Sequence, residues 1–170
     1  MKSKMERVLT FILMAVALAV PSAARQKTAQ RDHLTENEAD LVRENQEIEK
    51  RIDVFIKAGD RRILVLTNPN AEQKKKEEEL WGPLPTGSRI DLLQDFKNIL
   101  AEAMEKLDSA HERSASDPQV AKALDKLKKA ATRQISELKA LAPGMTDKRD
   151  QRALLEAIDE ADAASKGSLP

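Results

Sequence analysis

The chain has 170 residues, and its 29 basic side chains balance its 29 acidic ones, which argues against the strongly basic surface that nucleic-acid binding usually requires. It contains no cysteine, so disulfide bonds and lipid attachment to an N-terminal cysteine are excluded. One Trp, three Phe and no Tyr, beside many Ala, Leu, Lys, Glu and Arg residues, favour an all-α fold and argue against recognition of sugars or unstacked bases.

The N-terminal segment has the order of a secretory signal peptide. Lys2, Lys4 and Arg7 precede an apolar run at 8–20, and small residues follow up to Ala24. We predict that residues 1–24 are cleaved after Ala24 and that the mature protein is periplasmic or secreted. The apolar run is shorter than the roughly 20 residues of a spanning helix. Counted through Ala24 it approaches that length, so the alternative is an uncleaved segment that tethers the protein to the membrane.

No second apolar run is long enough to span a membrane, and residues 25–34 have no periodicity, so we expect a flexible lead-in before a single helical domain at 35–170. Thr35 and Glu38 fit a capping box, which predicts the start of a first helix at about 35–66. Its apolar positions recur at intervals of three, four and seven residues: Leu41, Ile48, Ile52, Phe55, Ile56, Ile63 and Leu66.

Gly59 interrupts this first pattern. It either ends the helix or lies in the packed stripe and lets a neighbouring helix approach closely. We expect the helix to continue, because Ile63 and Leu66 keep the register and Pro69 supplies a firmer stop. The alternative is a short strand at 63–66.

Residues 67–87 are predicted to form an irregular connection, because proline and glycine are dense near its end. The charged block at 74–79 is compatible with a turn or two of solvated helix. Trp81 follows it, and we interpret this residue mainly as a plug or lid that packs back on the body of the protein. Its place in a proline-rich connection also makes Trp81 a candidate loop anchor for a partner.

Three further amphipathic helices are predicted at about 88–113, 117–142 and 146–165. Ser88 and Asp91 fit a second capping box, and Asp117 is a cap before a proline at the first helical position. The simplest arrangement is an antiparallel four-helix bundle, with a crossover allowed by the long first connection and a homodimer as an open alternative.

No motif in the sequence carries an identifiable chemistry. Asp108 and His111 share a helix face, but Ser109 points elsewhere, so no catalytic triad forms locally. Glycine is too scarce for a phosphate-binding loop. Asp108 and His111 are spaced to supply two metal ligands, with Glu112 or His33 as a third, but a capped or ion-paired histidine at a helix end is far commoner. We therefore predict no catalytic, cofactor-binding or metal-binding residue.

The third predicted helix carries a basic ridge, defined by Lys122, Lys126, Lys129 and Arg133. At 100° per residue the ridge lies nearly opposite the apolar stripe, so we expect it to face away from the core and from neighbouring helices. It is then either a solvated face that keeps the domain soluble or a docking site for an acidic partner or an anionic envelope surface.

The pattern resembles small exported helical-bundle proteins of bacteria, a likeness of architecture that no motif supports. The leading hypothesis is a non-enzymatic protein of the bacterial cell envelope that acts by contact with another protein. The alternative is a carrier of a small apolar ligand or metal in the bundle core, in a gap near Ala103, Met104 and Ala131. An extracytoplasmic enzyme is the third hypothesis.

Overall fold

The structure is a computed structural model that describes residues 31–167, and this part of the chain is all-helical, as predicted. The signal peptide, its cleavage point and most of the lead-in lie outside the described residues. The helices are α1 (Glu36–Glu44), α2 (Ile48–Thr67), α3 (Lys75–Trp81), α4 (Arg89–Arg113), α5 (Pro118–Leu141) and α6 (Lys148–Lys166), with a short 3₁₀ turn at Ala142–Gly144.

Local capping sets most of the helix starts. The Thr35 hydroxyl accepts from the Glu38 amide at 3.3 Å, and the Glu38 carboxylate accepts from the Thr35 amide at 2.9 Å. Ser88 forms the same box with Asp91, and the Asp117 carboxylate accepts a backbone amide at the start of α5. The three predicted caps are confirmed. They could be predicted because each depends only on residues two or three apart.

The prediction of one continuous first helix is wrong, because the chain turns between α1 and α2. Asn45 ends α1: its side-chain Nδ2 donates to the Leu41 carbonyl at 2.7 Å, and its backbone is extended. An Asn side chain competes in this way with the next turn of a helix. The turn lets α1 fold back along α2 and brings residues 38 and 61 into contact. In a continuous helix these residues would lie about 34 Å apart.

The expected continuation through Gly59 is confirmed, since α2 runs unbroken to Thr67, and the alternative strand at 63–66 is wrong. A Cβ atom at Gly59 would lie 3.3 Å from the Phe96 ring and 3.2 Å from the Gln134 side-chain nitrogen. Such contacts are tight for a real Cβ. The glycine therefore permits the close approach of α2 to both α4 and α5.

Within residues 31–167, the four longer helices α2, α4, α5 and α6 form a bundle. Both α2 and α6 pack on α4 and on α5, whereas α4 and α5 make few contacts with each other and lie across a diagonal. Thr67, Arg89 and Leu141 line one recess, so the end of α2, the start of α4 and the end of α5 meet at the same end of the bundle. Adjacent helices α2 and α4 therefore run antiparallel.

Two other neighbouring pairs run parallel, so the prediction of a simple antiparallel arrangement needs correction. On α2 and α5, Glu49 pairs with Lys122 and Asp60 pairs with Arg133, so residue numbers rise in the same direction on both helices. Helices α4 and α6 are also parallel, because Arg89 lies 3.9 Å from Asp150 and Lys97 lies 3.0 Å from Glu156. Apolar stripes alone do not decide which helices become neighbours, whereas opposite charges on α2 and α5 favour this pairing.

The core lies between the four longer helices and is filled by aliphatic side chains and two phenylalanines. Phe55 and Phe96 are fully buried. Ala103 and Ala131, where a ligand-sized gap was considered, are also fully buried. No helix within residues 31–167 combines the length and the apolar character needed to cross a membrane.

Candidate functional site

The most unusual feature of the described residues is a cluster of buried charges between α1 and α2. Glu38, Arg61 and Arg62 are each at most 2% exposed. Charged side chains are rarely buried to this degree unless they are paired. No sequence pattern predicts this cluster, because Glu38 fits only a capping box and Arg61 and Arg62 belong to no motif.

The Glu38 carboxylate accepts hydrogen bonds from three residues. Glu38 Oε1 accepts from Arg61 Nη1 at 2.6 Å and from Arg62 Nη1 at 2.5 Å, while Oε2 accepts from the Thr35 amide. The capping box and the buried ion pairs therefore share one residue. Hydrogen bonds to a charged acceptor are stronger than those between neutral groups.

Arg61 on α2 holds the connection after α3 through hydrogen bonds to its backbone. Its Nη1 also donates to the Trp81 carbonyl at 2.9 Å, and its Nη2 donates to the carbonyls of Gly82 at 2.9 Å and Pro83 at 2.6 Å. The guanidinium carbon lies 5.8 Å from the centre of the Trp81 ring, within the range of a cation–π contact. Burial lowers the pKa of Arg61 and the charge of Glu38 opposes that shift, but a guanidinium keeps its proton in proteins.

Arg62 on α2 holds the segment before α1 through a hydrogen bond to its backbone. Its Nη1 donates to the Ala58 carbonyl at 3.0 Å, and its Nη2 donates to the His33 carbonyl at 2.7 Å. The His33 ring in turn lies 2.8 Å from the Glu102 carboxylate on α4. Both arginines bind Glu38 and so hold α1 against α2, and Arg62 also holds the segment that precedes α1.

The cluster has more positive than negative charge. Two guanidiniums face one carboxylate, and backbone carbonyls supply the remaining acceptors. Among the buried side-chain atoms of the described chain, Arg61 Nε and Arg62 Nε have no hydrogen-bond partner. Loss of the carboxylate would leave two adjacent buried guanidiniums without a countercharge, which is strongly unfavourable.

A surface recess of about 190 Å³ lies between α2 and residues 72–84. The Lys57 and Glu77 side chains pair across it at 2.5 Å, and this hydrogen bond lowers the pKa of the Glu77 carboxylate. Its wall contains Lys57, Asp60, Arg61, Leu64, Glu72, Gln73, Glu77 and Leu84.

Two leucines near this recess are exposed to solvent. Leu64, in its wall, is 41% exposed, and Leu80 on α3 is 58% exposed. Trp81 is half-buried and packs against the core, as the sequence interpretation of a plug or lid expected. Its use as an anchor for a partner stays a prediction.

The basic ridge on α5 does not face away from its neighbours, so that expectation is wrong. Lys126 Nζ lies 2.7 Å from the Glu49 carboxylate and 2.9 Å from the Asp53 carboxylate on α2. Arg133 Nη2 lies 2.9 Å from Asp60, also on α2. Lys126 and Arg133 sit roughly 120–140° from the centre of the apolar stripe, and their long side chains reach across the helix interface.

The other two residues of the ridge are more exposed. Lys122 pairs with Glu49 at 3.0 Å but keeps 64% of its side chain exposed, and Lys129 pairs with Asp125 on its own helix and is 76% exposed. The bonds from Lys126 and Lys122 lower the pKa of Glu49, and its partners raise the pKa of Lys126. The ridge thus belongs largely to the contact between α2 and α5, and docking of a partner through it stays a prediction.

Across residues 31–167 no group of three or more His, Asp or Glu side chains is placed to hold a metal ion. Comparison of the chain with protein-family models, with curated proteins and with solved structures finds no match.

Proposed function

We propose that this chain is an exported, non-enzymatic helical protein of the bacterial cell envelope that acts by contact with another protein. Export is inferred from the signal-peptide pattern of residues 1–24, which places the mature protein in the periplasm or outside the cell. An uncleaved segment that tethers the same domain to the membrane is the alternative.

The observation that supports a contact function is the pair of exposed leucines beside the α2 recess. Leu64 lies in the recess wall with Lys57 and Glu77, and exposed Leu80 follows Glu77 by three residues, about one helical turn, on α3. Apolar surface with a polar rim is typical of protein–protein interfaces. Trp81, the residue after Leu80, contacts Arg61 through both its carbonyl and its ring, and these contacts position Leu80 at the surface.

The experiment compares three tagged proteins in pull-downs from the envelope fraction. The parent is expected to recover a partner, and a Leu64→Ser, Leu80→Ser variant is expected to lose it. Leu155→Ser is the matched control, because Leu155 is 60% exposed but lies on α6, away from the α2 recess. Equal recovery by the parent and by the double variant would contradict this surface as the contact site.

Export has its own test. N-terminal sequencing of protein from the producing cell is expected to begin at Arg25. An intact Met1 on membrane-bound protein would establish the tethered form instead. Full-length protein found in the cytoplasm would overturn the proposed location.

One observation favours the second candidate, a carrier of a small apolar ligand. A recess of about 260 Å³ near the start of α6 is lined by Ala142, Met145, Gln151, Leu154 and Leu155. This volume is below the roughly 300–1,000 Å³ of most ligand pockets, so we rank the carrier second. Native mass spectrometry of the purified protein tests it, because a copurified small molecule is expected only for a carrier.

A further inference from the structure

The outer side of α2 is covered by a strap, which we define as α1 together with residues 75–83. On α2, Phe55 and Gly59 face the bundle core, whereas Val54 and Arg61 lie about 100–120° away from Phe55 around the helix. Both Val54 and Arg61 are nevertheless buried. A helix with two buried sides has a second cover in addition to the bundle, and α1 packs mainly on α2 and α3.

The two parts of the strap are joined to each other. A Cβ atom at Gly82 would lie 2.5 Å from the Asn37 side-chain oxygen, so α1 and the connection are in close contact. Arg61 donates to both parts, to Glu38 on α1 and to the carbonyls of residues 81–83. If the contact to Glu38 is lost, the anchor of the other part is disturbed too.

The strap has few apolar anchors of its own. The buried residues of α1 are Glu38 and Val42, and α3 has none; Ala39, Leu41 and Trp81 are only partly buried against the core. With nine and seven residues, both helices are far shorter than the roughly 12–15 residues at which an isolated helix becomes marginal in water. Their order therefore depends on the polar cluster, whereas α4, α5 and α6 bury apolar side chains along their full length.

We propose that the strap is a releasable cover, which opens as one unit around the Glu38 carboxylate while the four-helix core stays folded, and so uncovers the Arg61 guanidinium. Regions with few buried apolar contacts open before the rest of a structure. The turn at 45–47 supplies a hinge on one side of α1. Opening turns the buried Arg61 guanidinium into a solvent-accessible positive charge on the outer side of α2, while Arg62 keeps its bonds to the carbonyls of Ala58 and His33.

The test is native-state hydrogen exchange, followed residue by residue by NMR at increasing urea concentrations. In the parent, the amides of α1 and those of Trp81 and Gly82 are expected to exchange through one common opening, well before those of α4 and α5. Exchange of the strap only with global unfolding, or opening of its two parts at different urea concentrations, would overturn the proposal.

Glu38→Gln supplies the second measurement. Removal of the charge is expected to reduce protection in α1 and at 81–82 by about tenfold or more, with less than about threefold change in α4 and α5. Glu36→Gln is the matched control, since Glu36 is an exposed carboxylate on the same helix. Equal loss of protection across the bundle in Glu38→Gln would mean that the cluster supports the whole fold rather than a cover. If Glu38→Gln does not fold, the urea dependence of hydrogen exchange in the parent still tests whether the strap opens as one unit.

Discussion

Arg61 and Glu38 form a buried ion pair across 23 residues of sequence, with Nη1 of the arginine 2.6 Å from Oε1 of the glutamate. The pair holds α1 against α2, and the same guanidinium holds three consecutive backbone carbonyls of the connection after α3. Few single side chains in the described residues join as many separate segments.

Arg61→Lys is expected to destabilise the protein by about 1–3 kcal/mol, although it keeps the charge. A single ammonium nitrogen cannot reproduce the two-nitrogen fork, so at least one carbonyl of 81–83 loses its donor. The measurement is the free energy of unfolding from urea titration. Arg43→Lys is the control, because Arg43 is 71% exposed and pairs only with Asp40 on its own helix among the described ion pairs. The same loss in both variants would contradict a special role for the fork.

Gly82→Ala is expected to destabilise the strap by about 1–3 kcal/mol. Gly82 has φ 66° and ψ −176°, a region that is essentially restricted to glycine, and the added Cβ would also meet the Asn37 side chain. Hydrogen exchange of the α1 amides should report the loss. A Gly82→Ala, Asn37→Ala double variant should recover only the share of the lost stability that comes from the clash with the Asn37 side chain. Full recovery in the double variant would show that the backbone conformation carries no strain for alanine.

Gly59→Leu is expected to destabilise the bundle by about 1–3 kcal/mol, because a large side chain would separate α2 from Phe96 and Gln134. Gly144→Leu is the matched control, since nothing lies within 4 Å of a Cβ at that position. Thermal unfolding followed by circular dichroism compares the two variants. A similar melting temperature for both would mean that α2 moves aside without loss of packing.

The ion pairs between α2 and α5 are expected to make stability depend on pH. Because its lysine partners lower the pKa of Glu49 in the folded protein, its contribution is present above the unfolded value of about 4.3 and is lost as pH falls through that value and the folded one. The raised pKa of Lys126 gives the opposite sign, with loss above about 10.4. A Lys122→Gln, Lys126→Gln variant should show a smaller drop in urea midpoint between pH 7 and pH 3 than the parent.

Lys129→Gln is the control for this comparison, because Lys129 pairs with Asp125 on its own helix. It should retain the pH dependence of the parent. An unchanged pH dependence in the double variant would mean that other carboxylates dominate the acid response.

The sequence by itself determined the features that depend on neighbouring residues. The capping boxes at Thr35 and Ser88 fix two helix starts, because both partners of each box lie within the first turn and need no distant residue. The apolar periodicity also determined the all-helical class and the continuation of α2 through Gly59, since burial of a stripe outweighs the weak helix propensity of one glycine.

Only the tertiary structure decided which distant residues meet. Glu38 is both a cap and the countercharge of two arginines because the turn at Asn45 brings α1 back along α2, and no local pattern encodes that return. The basic ridge of α5 pairs with α2 because the helices are parallel neighbours, a choice that depends on the packing of the whole bundle. Local interactions are the same in any fold, whereas burial and pairing of a charge depend on the partner that the fold places beside it.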